Sequence, residues 1–167
     1  MLTEHNGILA AGVDSTDSLP ETVGRFLAEH FIDEVPIEGL HEVMVYCKPV
    51  LEKALRLTDD YSMTDLLRIM YEGRAVLLIE WAEGKPQTCA VVSVEQLANG
   101  KAAHIMAIAR FPCKTRPDID ASSLQMLAKH VKKWGCTCIQ GWAQPAVARL
   151  WARIEFKEVA RLVRKEL

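Results

Sequence analysis

The chain has 167 residues, of which half are hydrophobic and a quarter are charged. This length and composition are typical of one domain with a sizeable core. No apolar run approaches the roughly 18 residues that a membrane-spanning helix needs. Residues 1–13 also lack the basic flank of a secretory signal, so we expect a cytoplasmic protein.

The net charge is -2, but the charges are distributed unevenly along the chain. Residues 1–100 carry 7 basic and 17 acidic side chains, whereas residues 101–167 carry 13 basic and 5 acidic ones. This asymmetry is compatible with an anionic ligand on the basic part, with an acidic partner, or with a homo-oligomer whose opposite halves meet. The alternative is that the two halves neutralise each other within one fold.

The five cysteines are an odd number and show no spacing typical of a disulfide framework. Cys136 and Cys138 would share one face of a strand, but no second Cys/His pair at zinc spacing accompanies them. The sequence therefore predicts no metal site. We expect reduced, buried thiols at Cys47, Cys89, Cys113, Cys136 and Cys138.

The first 35 residues are predicted to form an N-terminal arm and a helix. Residues 1–19 are rich in small and polar side chains without a sustained period, which is typical of a flexible or partner-ordered arm. Pro20 occupies a favoured first helical position, and apolar side chains follow at helical spacing as far as Phe31. Residues 35–39 break this pattern, so the main domain is predicted over residues 36–167.

Helical patterns continue into the main domain. Residues 40–46 are ambiguous, and a clearer helix begins at Pro49. Ser62 and Asp65 have the spacing of a capping box, in which the serine oxygen can accept a hydrogen bond from a free helical amide and the carboxylate faces the positive end of the helix dipole. This box predicts a further helix, which ends at Gly73.

After Gly73 the apolar period changes from helical to extended. The sequence predicts an antiparallel meander of three strands over residues 75–81, 88–94 and 102–111. A polar loop is predicted over residues 112–120 and a helix over residues 121–134. A strand over residues 136–142, a short helix over residues 145–154 and a last strand over residues 156–163 complete the order.

This order resembles that of the GNAT acyltransferases. The residues that carry the resemblance are 75–94, 104–134 and above all 149–156. The last of these segments reads Arg-Leu-Trp-Ala-Arg-Ile-Glu-Phe and is similar to the family's closing Leu-Tyr-x-x-x-Gly-Phe pattern. The resemblance implies an α/β (α+β) fold with a mixed, mostly antiparallel sheet flanked by helices. In that fold the fourth and fifth strands splay apart and acetyl-CoA lies in the gap.

Residues 36–167 are also similar to small GNAT-like proteins encoded by bacteriophages and prophages. Leu-Glu-Lys-Ala-Leu at residues 51–55 and the Gly-Cys to Gly-Trp-Ala segment at residues 135–143 carry this likeness. It implies a location in a host cytoplasm or in a phage particle.

The resemblance places the CoA-binding loop at residues 111–123, where the sequence departs from the family's pattern. The loop contains no glycine, its two prolines lack amide hydrogens, and Asp118 and Asp120 would repel phosphate or else cap the next helix. Its basic and hydroxyl side chains would replace some of the lost interactions. The predicted contacts of acetyl-CoA or CoA are Ile108, Arg110, Phe111, Lys114, Arg116, Ser122, Ser123 and Trp151.

The resemblance also locates the positions of the acid and the base. Trp151 stands where the family has its tyrosine acid, and Glu155 stands where it has a glycine. An indole N–H does not titrate near neutral pH, so Trp151 is expected to stack on a ligand or to pack in the core. Candidate substitute acids are Tyr46, Tyr61 and Tyr71.

A general base has to accept a proton from an attacking amine, and Glu80 and His104 are the candidates. Burial would raise the pKa of Glu80 if its strand were covered. The alternatives are that Glu80 faces solvent at a strand end and that His104 is a structural histidine.

Three functions fit the sequence. The first is an acetyl-CoA-dependent N-acetyltransferase with weak or lost activity. The second is a non-catalytic phage structural protein or host-factor binder, which would use the N-terminal arm and the asymmetric charge. The third is nucleic-acid binding through the basic C-terminal third, although no recognisable motif supports it. The basic side chains that would contact the nucleic acid are Arg149, Arg153, Lys157, Arg161, Arg164 and Lys165.

Overall fold

The computed structural model describes residues 30–56, 61–112, 121–142, 149, 151–153 and 155–157. The predicted arm, Lys114, Arg116 and most of the two elements predicted after residue 142 lie outside the described residues. Within the described part of the chain, no helix is both long and apolar enough to cross a membrane.

The described elements form one five-stranded sheet with helices on both faces. The strand order is β1-β2-β3-β4-β5, with antiparallel neighbours from β1 to β4 and a parallel β4–β5 pair. The elements are β1 Phe31–Val35, a 3-10 turn Ile37–Gly39, α1 Leu40–Leu55, α2 Met63–Tyr71, β2 Ala75–Ala82, β3 Lys85–Leu97, β4 Gly100–Arg110, α3 Ala121–Lys132 and β5 Cys136–Gly141.

The predicted helix that reaches Phe31 is wrong at its end. Phe31 begins the edge strand β1, which pairs with β2 through Phe31 opposite Trp81 and Ile32 opposite Glu80. Phe31, Ile32 and Asp33 of this short edge strand are half-buried, so the alternation of buried and exposed residues is weak. The apolar residues before Phe31, which recur at helical spacing, therefore give a stronger sequence pattern than β1 does.

The start predicted at Pro49 is also wrong, because α1 begins at Leu40 and contains Pro49 in its interior. Leu40, Val43, Cys47 and Leu51 form its buried stripe at helical spacing. Pro49 lies on the exposed side, where the carbonyl that loses its amide partner can bind water. The free energy gained by packing this stripe into the core outweighs the cost of a proline inside the helix.

The predicted capping box of α2 is confirmed. The Ser62 hydroxyl accepts a hydrogen bond from the Asp65 amide at 3.1 Å, and the Asp65 carboxylate accepts one from the Ser62 amide at 3.1 Å. The carboxylate also accepts a 2.6 Å bond from the Ser62 hydroxyl, and this bond is the main reason why the pKa of Asp65 is lowered. Gly73 ends the helical segment with a φ of 70°.

Two clusters of buried side chains cover the two faces of the sheet. On the α1–α2 face, Leu77, Ile79 and Trp81 of β2 pack against the buried stripes of α1 and α2. On the α3 face, Leu78 and its strand neighbours pack against Leu127 and the rest of the α3 stripe. Successive strand residues therefore alternate between the two clusters.

The described cysteines carry free thiols. Cys47, Cys89 and Cys136 are buried as expected, but Cys138 is exposed. The expectation that Cys138 is a buried core residue is therefore wrong, because the register shift between Lys101 and Ala102 separates it from Cys136 on β5.

The strands β4 and β5 separate partway along β4. Their pairing ends where Ile105 lies opposite Gly141, the last residue of β5, while β4 continues to Arg110. A register irregularity at Val91 and Val92 of β3 bends β4 at the same level. The split between β4 and β5 leaves space on the α3 face.

Candidate functional site

A mostly apolar cavity lies on the α3 face, next to the split between β4 and β5. It contains about 480 Å³ of space between atoms, a figure that includes its open mouth. The described residues that line it are Ile32, Leu78, Glu80, Thr88, Ala90, Ile105, Ile108, Ser123, Leu124, Leu127, Trp151 and Phe156.

Glu80 is a buried carboxylate in this cavity and has a relative exposure of 6%. The Ser123 hydroxyl donates a 2.7 Å hydrogen bond to its Oε1, and His30 Nε2 lies 2.6 Å from the same oxygen. The expectation of a strand-end glutamate facing solvent is wrong, because β2 continues to Ala82 and residue 80 shares the α3 face with Leu78.

Thr88 lies beside Glu80 in the sheet. The register places Thr88 of β3 opposite both Glu80 of β2 and Arg110 of β4. Its relative exposure is 5%, and its Oγ1 has no hydrogen-bond partner within the part of the chain that the structure describes. The cavity therefore presents a buried hydroxyl that can bind a further group.

His104 lies on the other side of the sheet from Glu80. Its neighbours Ala103 and Ile105 belong to the cluster on the α3 face, so its own side chain points to the α1–α2 face. There it is buried, with Nδ1 3.7 Å from the Glu95 carboxylate, which also accepts a 2.6 Å bond from Gln140. The structure therefore does not bring the two candidate bases together.

The predicted CoA contacts divide into several groups. Ile108, Ser123 and Trp151 line the cavity, and Arg110 follows Thr88 in the same cross-strand row. Phe111 lies in the cluster on the α1–α2 face, and its amide donates a 2.9 Å hydrogen bond to the Gln87 carbonyl. Ser122 is exposed.

Trp151 lies at the split between β4 and β5. A Cβ built on Gly141 would be 3.1 Å from two atoms of the Trp151 ring and 3.2 Å from the Ile105 carbonyl oxygen. The ring also packs on Phe156, with 4.9 Å between the ring centroids. The Trp151 ring therefore occupies the space into which a side chain at position 141 would point.

Glu155 adopts a backbone conformation that favours glycine. Its φ is 70°, in the left-handed region where a side chain other than that of glycine is strained. This is the position at which the sequence resemblance expects a glycine. The local backbone keeps the shape of the pattern while the side chain departs from it.

The other predicted site residues lie away from the cavity. Tyr46 and Tyr61 pack at the edge of the cluster on the α1–α2 face, and Tyr71 is half exposed. Three of the six C-terminal basic side chains are described, and all three are exposed to solvent: Arg149, Arg153 and Lys157.

The sequence pattern does not mark His30 and Thr88 as site residues. His30 falls within the helical pattern predicted before β1, although it lies directly before that strand and its Nε2 reaches Glu80. The pattern identifies Thr88 only as a residue of a predicted strand. Its position two residues before the buried Ala90 was a signal that it shares the α3 face.

No protein-family model matches this sequence, and no curated protein matches it significantly. Solved structures do match. The ribosomal-protein-alanine N-acetyltransferase of Brucella melitensis biovar Abortus 2308 gives a TM-score of 0.61 at 11% identity, over 83% of this chain and 99% of that chain. A GNAT family acetyltransferase of Staphylococcus aureus gives 0.56 at 12% identity, over 83% and 98%.

An aminoglycoside N-acetyltransferase in complex with CoA gives a TM-score of 0.57 at 13% identity, over 87% of this chain and 98% of that chain. At such low identities the similarity establishes the fold alone. The mixed, mostly antiparallel sheet flanked by helices is the fold of the GNAT acetyltransferases, as the resemblance implied.

Proposed function

We propose that this protein is an acetyl-CoA-dependent N-acetyltransferase that binds the thioester of acetyl-CoA at the split between β4 and β5. The observation that carries the proposal is the buried carboxylate of Glu80 in a cavity that reaches this split through Ile105, Ile108 and Trp151. The CoA-bound acetyltransferase with the same fold supports acetyl-CoA as the donor.

Glu80 is the proposed general base. A neutral amine nitrogen attacks the thioester carbonyl carbon, the nitrogen proton passes to a Glu80 oxygen, and the carbon–sulfur bond breaks. The products are an acetamide and the CoA thiolate, and the proton then leaves Glu80 for water or for the thiolate. The hydrogen bonds from Ser123 and His30 both involve Oε1, so they hold the carboxylate in place while Oε2 takes part in neither.

Slow turnover is expected for two reasons. The indole of Trp151 has no proton that titrates near neutral pH, so it cannot supply the thiolate with one. The loop at residues 111–123 has no glycine whose amide could approach a pyrophosphate closely. Ser122, Lys114 and Arg116 remain predicted phosphate contacts, whereas the buried Ser123 hydroxyl donates its hydrogen bond to Glu80.

Transfer is tested by measuring the free CoA thiol released from acetyl-CoA with a panel of primary amines. We expect Glu80→Gln to lower kcat/KM by at least about 100-fold, since a general base contributes about that much. Glu95→Gln is the matched control, because the Glu95 carboxylate lies 3.7 Å from His104 Nδ1, away from the cavity. Equal losses in both variants, or no loss in Glu80→Gln, would remove Glu80 from the mechanism.

The position of Trp151 favours a second candidate, a non-catalytic protein with the same fold. Its ring already contacts Gly141 at the split, where a bound thioester would need space. Calorimetric titration separates the two candidates, because a non-catalytic protein of this kind shows no heat of binding with CoA or acetyl-CoA at millimolar concentration.

A phage origin, a homo-oligomer, a protein partner and nucleic-acid binding stay predictions of the sequence. Light scattering tests self-association. Nucleic-acid binding through the basic side chains would weaken steeply as salt rises, which a fluorescence titration at two salt concentrations measures.

A further inference from the structure

The cavity on the α3 face combines a polar end with apolar walls. Three of its lining side chains, Glu80, Thr88 and Ser123, are polar, and the others are aliphatic or aromatic. Glu80 and Thr88 lie opposite each other in the antiparallel β2–β3 pair, so the carboxylate and the hydroxyl are neighbours.

The polar end offers a ligand the acceptor oxygens of a carboxylate and a hydroxyl group. An ionised carboxylate only accepts hydrogen bonds, and a threonine hydroxyl can accept as well as donate. Among the described residues that line the cavity, Glu80 is the acidic side chain, and no lysine or arginine lines it. His30, 2.6 Å from Glu80 Oε1, and Arg110, opposite Thr88 in the sheet, lie beside this end without lining the cavity. An anionic group at this end would face an unfavourable charge, whereas an ammonium group brings three donors.

Thr88 gives an independent indication that the polar end is incomplete. Its Oγ1 is buried and has no partner in the described chain. A buried hydroxyl without a hydrogen bond costs about 1–3 kcal/mol on mutational scales, so a ligand or a water molecule is expected to bind it.

The walls restrict the rest of the ligand. Trp151 and Phe156 form an aromatic side, and Leu78, Ile105 and Leu127 are among the aliphatic lining residues. A ligand body with many hydroxyl groups would bury them without partners, at a cost for each. An apolar body of a few carbon atoms matches the chemistry of these walls.

We propose that the cavity binds a small primary amine with an apolar body, its ammonium group between Glu80 and Thr88. This inference rests on the proposed function when the bound amine is taken as the acetyl acceptor. It distinguishes the chain from proteins of the same fold whose names give aminoglycosides or a ribosomal-protein alanine as the group acted on.

The test compares n-butylamine with n-butanol, which has a similar apolar body but no charge, by calorimetric titration of the full chain without CoA. We expect the amine to bind at least about tenfold more tightly, because hydrogen bonds to a charged group contribute more than neutral ones. Glu80→Gln should abolish this difference. Equal binding of both probes, or binding of neither, would overturn the proposal.

The variant Thr88→Val removes the hydroxyl and keeps the shape of the side chain. It should weaken butylamine binding by at least about threefold, since one hydrogen bond is lost. Thr137→Val is the control, because Thr137 is exposed on β5 and its hydroxyl donates a hydrogen bond to the Lys101 carbonyl of β4. Unchanged amine affinity in Thr88→Val, with a folded protein, would show that the hydroxyl binds only water and would overturn its assigned role.

Acetyl transfer distinguishes the failure of this inference from the failure of the proposed function. Transfer to glucosamine but not to butylamine would leave an N-acetyltransferase whose acceptor is not the one inferred here. Butylamine binding that depends on Glu80, without transfer to any amine, would keep the cavity's ligand class and remove the acetyltransferase.

Discussion

Replacement of Gly141 by alanine tests whether Trp151 lies at the split between β4 and β5. The added Cβ would be 3.1 Å from two ring atoms of Trp151 and 3.2 Å from the Ile105 carbonyl oxygen, well inside the usual 3.5–4.0 Å contact. Gly141 ends a regular strand and does not have a positive φ, so an alanine backbone fits there. The cost therefore comes from the contacts.

The expected cost of Gly141→Ala is about 1–3 kcal/mol of unfolding free energy, the usual range for an overpacked site. In a Trp151→Leu background the ring atoms are absent and only the Ile105 contact remains. The cost of Gly141→Ala should then fall by at least about 1 kcal/mol, which exceeds the usual error of additivity.

Urea unfolding followed by circular dichroism measures this cycle in four proteins: the original chain, the two single variants and the double variant. The slopes of the unfolding curves should agree, so that the midpoints report stability alone. If Gly141→Ala costs the same in both backgrounds, the ring does not lie against β5 and the geometry of the site is different.

Three further predictions concern single elements of the fold. Pro49→Ala should raise the unfolding free energy by about 1–3 kcal/mol, because it restores an amide to the interior of α1; a lower urea midpoint would contradict this. The hydrogen bond from the Ser62 hydroxyl keeps the pKa of Asp65 below its usual value. The stability that this carboxylate contributes is therefore present above the unfolded-state pKa, and it is lost as the pH falls through the lowered folded-state pKa. Ser62→Ala should therefore flatten the acid part of a stability–pH curve, with Thr64→Ala as the control, and an unchanged slope would exclude the box as its source. The neighbouring Cys47 thiol and burial raise the pKa of Cys89 well above its ordinary value. Maleimide should therefore label the exposed Cys138 at least about a hundredfold faster than Cys89, as measured by mass spectrometry of the labelled protein. Comparable labelling rates would contradict the buried position of Cys89.

The elements whose local chemistry and long-range packing agree were predictable from the sequence. The capping box at Ser62, the hairpin of β2 and β3, and the strand after Gly135 all follow from local signals that the tertiary structure reinforces. The start of α1 was not predictable from Pro49, because a buried stripe that begins at Leu40 outweighs the loss of one amide.

The candidate site was predictable in part. The sequence selected Glu80, but its burial depends on α3 covering that face of the sheet, and its contact with His30 joins residues that are 50 positions apart. Single-sequence periodicity reports which residues share a face and does not report which face is covered. For the same reason His104 was an equal candidate, although it lies on the opposite face.

The position of Glu155 shows how a sequence pattern and a backbone can separate. The sequence departs from the glycine of the family's pattern, while the backbone at this residue has the left-handed conformation that glycine adopts easily. The pattern of residues 149–156 therefore described the local backbone better than it described the side chains.

The indole N–H resonance of Trp151 during a titration with CoA is the most direct test of the central claim, that the split between β4 and β5 is the ligand site. Trp81 is the internal control, since it is fully buried on the other face. We predict that the Trp151 signal shifts in a saturable manner while the Trp81 signal stays in place. A Trp151 signal that does not move at millimolar CoA would contradict the claim.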